Sequence, residues 1–126
     1  MKMSESRNIS TLFSFDTEYS ADSVEWCPHK PNQNVFVCAC YHVKEKQTWD
    51  EPRKRVGRIF LFSITPERGL TLHQTVNTAA VLDQKWCHYK VAGISLLGVV
   101  NALKKIEVYK LNNDIQIELL SFYELQ

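Results

Sequence analysis

The sequence predicts an all-β protein in which one four-stranded unit is followed by a second unit of the same kind. Two Trp-Cys pairs, Trp26-Cys27 and Trp86-Cys87, lie 60 residues apart, and strand-like segments follow each pair in the same order. The matched segments are 21–28 with 81–88, 35–41 with 95–101, 58–64 with 105–111, and 70–74 with 115–119. Apolar residues tend to alternate within them, which favours strands over helices. Four strands repeated in one order indicate blades of a β-propeller.

The first blade is predicted over about residues 22–76 and the second over about 82–122. Their strands are expected at about 22–27, 35–41, 57–64, 70–76, 82–87, 95–100, 105–111 and 115–122. Pro28 and Pro31 end the first strand, because proline cannot donate to a central ladder. Asn112-Asn113-Asp114 is the last turn, since these side chains tolerate a left-handed backbone.

The two sheets are expected to pack face to face. Six apolar side chains should lie in the core between them: Trp26, Val37, Leu61, Trp86, Leu97 and Val108. The outer faces of two blades have no neighbouring blade to cover them, so we expect the isolated chain to aggregate.

Two segments lie outside the repeat. Residues 1–10 are polar and are predicted to be flexible, whereas residues 11–126 form the partial propeller. Thr11–Asp16 alternates in polarity and is predicted to be a strand of the kind that closes a propeller ring. The charged segment His42–Val56 is an insertion, which shortens the offset between the repeats from 60 to 47 residues. Connections of this length are often functional, so the insertion is either a solvated loop or a protein-docking loop.

Composition argues against several classes of protein. The 126 residues are 44% apolar and 23% charged, which is ordinary for one small globular domain. A net charge of +1 argues against non-specific binding to nucleic acid or to an anionic membrane. The N-terminus has no apolar run like a signal peptide, and no stretch is long enough for a membrane-spanning helix. We therefore expect a cytoplasmic or nuclear location.

The four cysteines are predicted to be small buried apolar side chains in a reducing compartment. Cys27, Cys38, Cys40 and Cys87 form no C-x-x-C pair, and no histidine cluster completes a zinc site. Cys27 and Cys87 occupy equivalent places in the two blades, which favours packing over catalysis. We expect no metal and no cofactor.

The residues around the first Trp-Cys pair resemble a known family. Phe15–Pro28 is similar to the N-terminal signature of the WD-repeat diphthine methylesterases of diphthamide biosynthesis. The similarity continues through Val56–Phe62, Val81–His88, Val91–Gly93 and Leu96–Gly98. The resemblance implies a fragment of a WD-repeat-like β-propeller, with about two four-stranded antiparallel blades and an N-terminal closing strand.

The resemblance also implies a function in ester hydrolysis. Members of that family remove the methyl ester from a methylated diphthine intermediate on elongation factor 2, before the final amidation. The expected partners are elongation factor 2 carrying methylated diphthine and other proteins. The chain matches only the front portion of such proteins, so we expect it to be inactive alone. The alternative is a non-catalytic WD-repeat scaffold for protein docking, because a fold by itself does not fix function.

Ester hydrolysis needs a nucleophile, a base and donors for the developing oxyanion, and the sequence assigns no catalytic residue. The nearest match to a nucleophile elbow is Gly93–Gly98, which contains Ser95. It is one residue longer than G-x-S-x-G and leads into a strand instead of a helix, which favours coincidence. His29 and His88 are either candidate bases or surface histidines that follow a strand.

Five side chains are candidates for a substrate-facing rim: Asp16, Glu18, Asp22, Asp83 and His88. The carboxylates either fix turns by accepting backbone N–H groups or lie near the substrate. Consecutive strands are antiparallel, so the loop at 16–21 and the insertion should emerge at the same end of the first blade. The sequence therefore predicts a rim at that end.

Overall fold

The computed structural model describes residues 9–46 and 48–126, so most of the predicted flexible segment 1–10 lies outside the described residues. The strands are β1 Ser20–Trp26, β2 Val35–Val43, β3 Arg55–Thr65, β4 Gly69–Ala79, β5 Val81–Trp86, β6 Leu96–Asn101, β7 Lys105–Leu111 and β8 Ile117–Glu124. They form two antiparallel four-stranded sheets, ordered β1-β2-β3-β4 and β5-β6-β7-β8, which we call blade one and blade two. The described part of the chain contains no helix, which confirms the all-β prediction. It accordingly offers no helical segment capable of crossing a membrane.

The two blades pack face to face around one apolar core, with β5 lying across β1, β2 and β3. Blade one and the residue that follows β1 contribute Cys27, Val35, Val37, Ala39, Ile59 and Leu61. Blade two contributes Val81, Trp86, Leu97, Val99, Tyr109, Leu111 and Ile117. Side chains alternate between the two faces of a strand, and the members from β2 and β3 follow that period of two.

Four of the six side chains predicted for this core are buried there, and the prediction is wrong for Trp26. Trp26 is 50% exposed, whereas Trp86 is 4% exposed. The Trp26 ring packs on Phe36, at 4.7 Å between centroids, on the face of blade one that is turned away from blade two. Val108 is only partly buried, because it pairs with Gly98 on the corresponding outer face of blade two.

The direction of the repeat explains why the two tryptophans differ. Each tryptophan points toward the side of its sheet on which a preceding blade would lie. For Trp86 that side is blade one, whereas for Trp26 it is the outer face of blade one. Cys27 and Cys87 follow the opposite rule: Cys27 points toward blade two and is 1% exposed, whereas Cys87 is exposed. The prediction that all four cysteines are buried is therefore wrong for Cys87. In each blade the tryptophan needs the preceding blade for burial and the cysteine needs the following one.

Thr11–Asp16 is not a strand, so the predicted closing strand is absent from the structure. The segment instead lies against the outer face of blade one. Phe15 packs edge-on against Phe60 and Phe62, with ring centroids 5.3 and 5.0 Å away. Contact between aromatic side chains, in place of backbone pairing, holds the segment there.

β8 begins at Ile117, two residues later than predicted. Ile115 has a φ of 56°, which no strand residue adopts. The Asn112 Oδ1 atom accepts hydrogen bonds from the backbone N–H groups of Asp114 and Gln116, at 2.9 and 3.1 Å. This asparagine therefore extends the turn through Gln116.

We predict that only Cys87 of the four cysteines is alkylated by iodoacetamide in the folded chain at pH 8. Burial raises the pKa of the Cys38 thiol to about 11, and the neighbouring Cys40 thiol adds to the shift. Burial also raises the pKa of Cys40. Both thiols are therefore neutral at pH 8, and the neutral thiol is a poor nucleophile. Intact mass should show one adduct in buffer and four in urea, and more than one adduct in buffer would contradict the fold.

We also predict that alanine substitutions of the two equivalent tryptophans lower the free energy of unfolding by different amounts. Trp86→Ala should lower the free energy of unfolding by about 3–5 kcal/mol. The substitution leaves a cavity in the core and removes the hydrogen bond from Nε1 to the Glu25 carbonyl at 3.0 Å. Trp26→Ala is the matched control and should cost clearly less, since half of that side chain is already exposed. Urea unfolding measures both values. Equal losses would show that the assigned direction of the repeat is wrong.

Candidate functional site

The strand registers define two ends of the structure. Ser20 pairs with Tyr41 and Tyr41 pairs with Gly57, so β1 and β3 begin where β2 ends. We call this the upper end and the opposite end of the sheets the lower end. The loop before β1 and the insertion both lie at the upper end, as the antiparallel order predicts. In blade two, the start of β5 also lies at the upper end, because it directly follows the end of β4, which pairs with the start of β3. The end of β6 lies there too, because Val81 pairs with Asn101.

Two of the rim candidates stabilise the loop that leads into β1. The Asp16 Oδ1 atom accepts the backbone N–H of Glu18 at 2.9 Å, which holds a turn. Glu18 has a φ of 62°, and its Oε2 atom is 3.1 Å from an Arg58 guanidinium nitrogen. The same guanidinium lies over the Tyr19 ring, 4.2 Å from its centroid. These contacts explain the position of both acids without a ligand.

The remaining rim candidates divide between the two ends. Asp22 is exposed and lies within a β-bulge of β1. Asp83 lies beside the corresponding bulge of β5, and its Oδ1 atom accepts the Gln84 N–H at 2.8 Å. His88 follows the C-terminal end of β5 and is therefore at the lower end. The structure groups the four acids at one end and does not bring His88 to them.

The insertion between β2 and β3 forms a loop over residues 44–54 at the upper end. A backbone hydrogen bond from Lys44 N–H to the Lys54 carbonyl closes its base at 2.8 Å. Trp49 lies in this loop with 90% of its surface exposed. A cavity of about 390 Å³ is lined by Lys44, Glu45, Lys46, Glu51, Pro52 and Lys54. Among the described residues, Trp49 is the most exposed aromatic side chain.

The lower end contains a serine–histidine pair that joins the blades. His29 Nδ1 is 2.8 Å from the Ser95 hydroxyl, and His29 Nε2 is 2.9 Å from the His88 carbonyl oxygen. A carbonyl can only accept, so Nε2 bears the proton and Nδ1 accepts the hydrogen bond from Ser95. Cys27 Sγ lies 3.9 Å from the same hydroxyl. The sequence had marked His29 and Ser95 separately, and only the packing of the two blades brings them together.

A second serine–histidine pair lies at the lower end of blade one, and the sequence patterns did not identify it. The Ser63 hydroxyl is 2.6 Å from His73 Nε2. Ser63 is on β3 and His73 is on β4, so the hairpin between these strands brings the pair together. The available signal was Pro66 and Gly69, because proline and glycine favour a turn, and a turn there places residue 63 close to the first residues of β4.

This second pair opens onto a cavity of about 330 Å³. The cavity is lined by Asn34, Ser63, Thr65, Glu67, Arg68, His73 and Ile115. Ile115 belongs to the turn before β8, so blade two provides part of the wall. Ser95 lines neither this cavity nor the one at the insertion.

Glu107 is a further polar residue that the sequence analysis missed. Its carboxylate accepts hydrogen bonds from Asn101 Nδ2 at 2.6 Å, the Tyr109 hydroxyl at 3.0 Å and the Thr78 hydroxyl at 3.4 Å. Burial raises the pKa of Tyr109, and the Glu107 charge adds to the shift, so the phenol stays a neutral donor. Thr78 is on β4, so this network joins the blades near the upper end.

Across residues 9–46 and 48–126, no group of three or more His, Cys, Asp or Glu side chains is arranged to hold a metal ion. The chemistry available at the lower end is that of serine hydroxyls hydrogen-bonded to imidazole nitrogens.

Comparison with known proteins identifies relatives of one kind. No protein-family model and no solved structure matches the chain. A mouse protein named diphthine methyltransferase is 35% identical over 133 residues, covering 96% of this chain and 28% of the mouse protein. The human protein of that name is 36% identical over 115 residues, covering 79% of this chain and 25% of the human protein. A Dictyostelium discoideum homolog of diphthine methyltransferase is 28% identical over 126 residues, covering 86% of this chain and 33% of that protein.

The chain therefore spans about a quarter of the length of its mammalian relatives. The segments of this chain that match the mammalian relatives cover 79–96% of it and include parts of both blades. The chain belongs to the diphthine methyltransferase family.

Proposed function

We propose that this chain acts in diphthamide biosynthesis, as part of an enzyme that hydrolyses the methyl ester of methylated diphthine on elongation factor 2. The observation that supports this proposal is the 35% identity to the mouse protein across 96% of the chain. The names of the mammalian relatives supply the substrate, diphthine. The resemblance of Phe15–Pro28 to the diphthine methylesterases supplies the reaction class.

The lower end offers groups suited to ester hydrolysis. A serine hydroxyl becomes a competent nucleophile when a nearby imidazole can take its proton. Ser63 and Ser95 each lie within hydrogen-bond distance of an imidazole nitrogen, at 2.6 and 2.8 Å. Such a pair needs no cofactor for ester hydrolysis.

The proposed partner is elongation factor 2, which would place the chain in the cytoplasm. We propose that the insertion loop around Trp49, at the upper end, contacts a part of elongation factor 2 that is remote from the ester, because the serine–histidine pairs lie at the lower end. Exposed tryptophans frequently become the energetic centre of protein interfaces. Of the four acids at the upper end, Asp22 and Asp83 would meet basic groups of that partner, since Asp16 holds a turn and Glu18 is paired with Arg58.

Two other functions have specific support. The name of the relatives, diphthine methyltransferase, favours methyl transfer to diphthine, which would require a methyl donor. The exposure of Trp49 favours a scaffold that docks proteins without catalysis. Methyl transfer consumes a methyl donor, hydrolysis releases methanol and a scaffold does neither, so the products separate the three functions.

We predict that a chimeric enzyme containing residues 9–126 hydrolyses the ester. These residues replace the matched segment of the mouse relative, and the substrate is elongation factor 2 isolated from cells that lack that relative. The chimera should release one methanol per modified elongation factor, with loss of the methyl ester in the mass of the modified peptide. The 126-residue chain should release much less, because the outer faces of its two blades have no neighbouring blade.

The intact mouse protein is the positive control, and the mouse protein without the matched segment is the negative control. A chimera that folds but releases no methanol, while the mouse protein does, would contradict the proposal. Transfer of a labelled methyl group to diphthine would favour the transferase instead. Binding of elongation factor 2 without either product would favour the scaffold.

A further inference from the structure

We propose that Ser63 is the nucleophile and His73 the general base for ester hydrolysis, and that the cavity beside them receives the methyl ester. The assignment rests on the hydrolytic function proposed above. It depends on three observations: the short hydrogen bond between the two side chains, the cavity onto which they open, and the charged groups around that cavity.

The hydrogen bond joins the Ser63 hydroxyl to an imidazole nitrogen. Ser63 is 4% exposed. Within the described residues, the only hydrogen-bond partner of the Ser63 hydroxyl is His73 Nε2, at 2.6 Å. When Nδ1 bears the imidazole proton, Nε2 accepts the hydrogen bond from the hydroxyl. In this tautomer, which the proposal requires, the imidazole is oriented to remove the Ser63 proton.

The cavity distinguishes this pair from the pair formed by Ser95 and His29. Ser63 and His73 both line a cavity of about 330 Å³, which is within the usual size range for small-molecule sites. Ser95 is as buried as Ser63, at 5% against 4% exposed, but it does not line that cavity. Both nitrogens of His29 also have partners on blade two, Ser95 and the His88 carbonyl. The Ser95 pair fastens the blades together, whereas the Ser63 pair faces a space that a substrate can enter.

The groups around the cavity suit an ester and its products. Arg68 contributes a cation, which favours the negative charge of an oxyanion or of the product carboxylate. Asn34 also lines the cavity, and an asparagine amide can donate hydrogen bonds. Glu67 contributes the opposite charge, which suits a substrate that carries a cationic group.

The reaction proceeds in two balanced steps. Ser63 Oγ attacks the ester carbonyl carbon as its proton passes to His73 Nε2, and the C–OCH₃ bond breaks as methoxide takes that proton and leaves as methanol. Water then attacks the acyl group on Ser63 while His73 takes a proton from the water. The bond between the acyl carbon and Ser63 Oγ breaks, the proton returns to Ser63 Oγ, and the acid is released. The net reaction consumes one water and produces one methanol and one carboxylic acid.

The direct test is covalent labelling of the 126-residue chain with a fluorophosphonate, which reacts with activated serine hydroxyls. The pair and its cavity all lie within this chain, so labelling can be measured on the chain itself. Peptide mass mapping of the wild-type chain should place a single adduct on Ser63. This measurement needs no variant, and a folded chain that is unlabelled or labelled at another serine would overturn the assignment.

Three variants test the roles of the pair. Ser63→Ala should abolish labelling, and His73→Gln should slow labelling about 100-fold, because a glutamine cannot take the proton. Ser95→Ala is the matched control: it removes the serine of the other pair and should retain the adduct on Ser63. Circular dichroism checks that each variant is folded. Unchanged labelling in folded His73→Gln would overturn the role of His73.

Methanol release by the chimera separates the two proposals. If the chimera releases methanol and its Ser63→Ala form releases it equally fast, the assignment of Ser63 is wrong and the proposed function stands. If Ser63 is labelled but the chimera releases no methanol, Ser63 is an activated serine and the proposed function is wrong. Methanol release that falls at least about 100-fold in Ser63→Ala supports both.

Discussion

Burial of one apolar face of each blade against the other is the interaction on which the rest of the structure depends. A single four-stranded sheet leaves both of its faces in water, and the hydrophobic effect favours covering them, by about 25 cal/mol for each Å² of apolar surface. Trp86 is the largest side chain in the shared core. Its indole donates to the Glu25 carbonyl, and the Gln84 amide donates to the carbonyls of Ser23 and Val37. The Trp86 N–H and the Gln84 NH2 group are therefore satisfied by the backbone of blade one, which makes the interface specific as well as apolar. The Gln84 Oε1 atom is buried and has no hydrogen-bond partner among the described residues.

The same packing explains the asymmetry between equivalent residues. In a tandem array of blades, each blade packs one face against the preceding blade and the other face against the following blade. Trp26 and Trp86 are on the first kind of face, and Cys27 and Cys87 are on the second. Only one interface exists between two blades, so one member of each pair is buried. On the outer face of blade one, Phe15 partly replaces a preceding blade by packing on Phe60 and Phe62.

The chemistry at the lower end arises from two different levels of structure. The pair of His29 and Ser95 requires the blades to be packed, because its members are 66 residues apart and on different blades. The pair of Ser63 and His73 requires only the hairpin of β3 and β4. His73 is the extra residue of a bulge in β4, between the pairs Leu61–Gln74 and Phe62–Leu72. Blade two still completes the second site, since Ile115 lines its cavity. The interface between blades therefore shapes both sites.

The sequence by itself determined the number and order of the strands, because alternation of apolar residues and the spacing of proline and asparagine are local signals. It also marked the family, through the residues around Trp26, and the upper-end position of the insertion. The tertiary structure alone decided which face of each strand is buried, because burial depends on which neighbour is present. It decided as well that His29 meets Ser95, that Ser63 meets His73 beside a cavity, and that His88 lies apart from the four acids. Hydrogen bonds between side chains on different strands depend on register and packing, which no local pattern specifies.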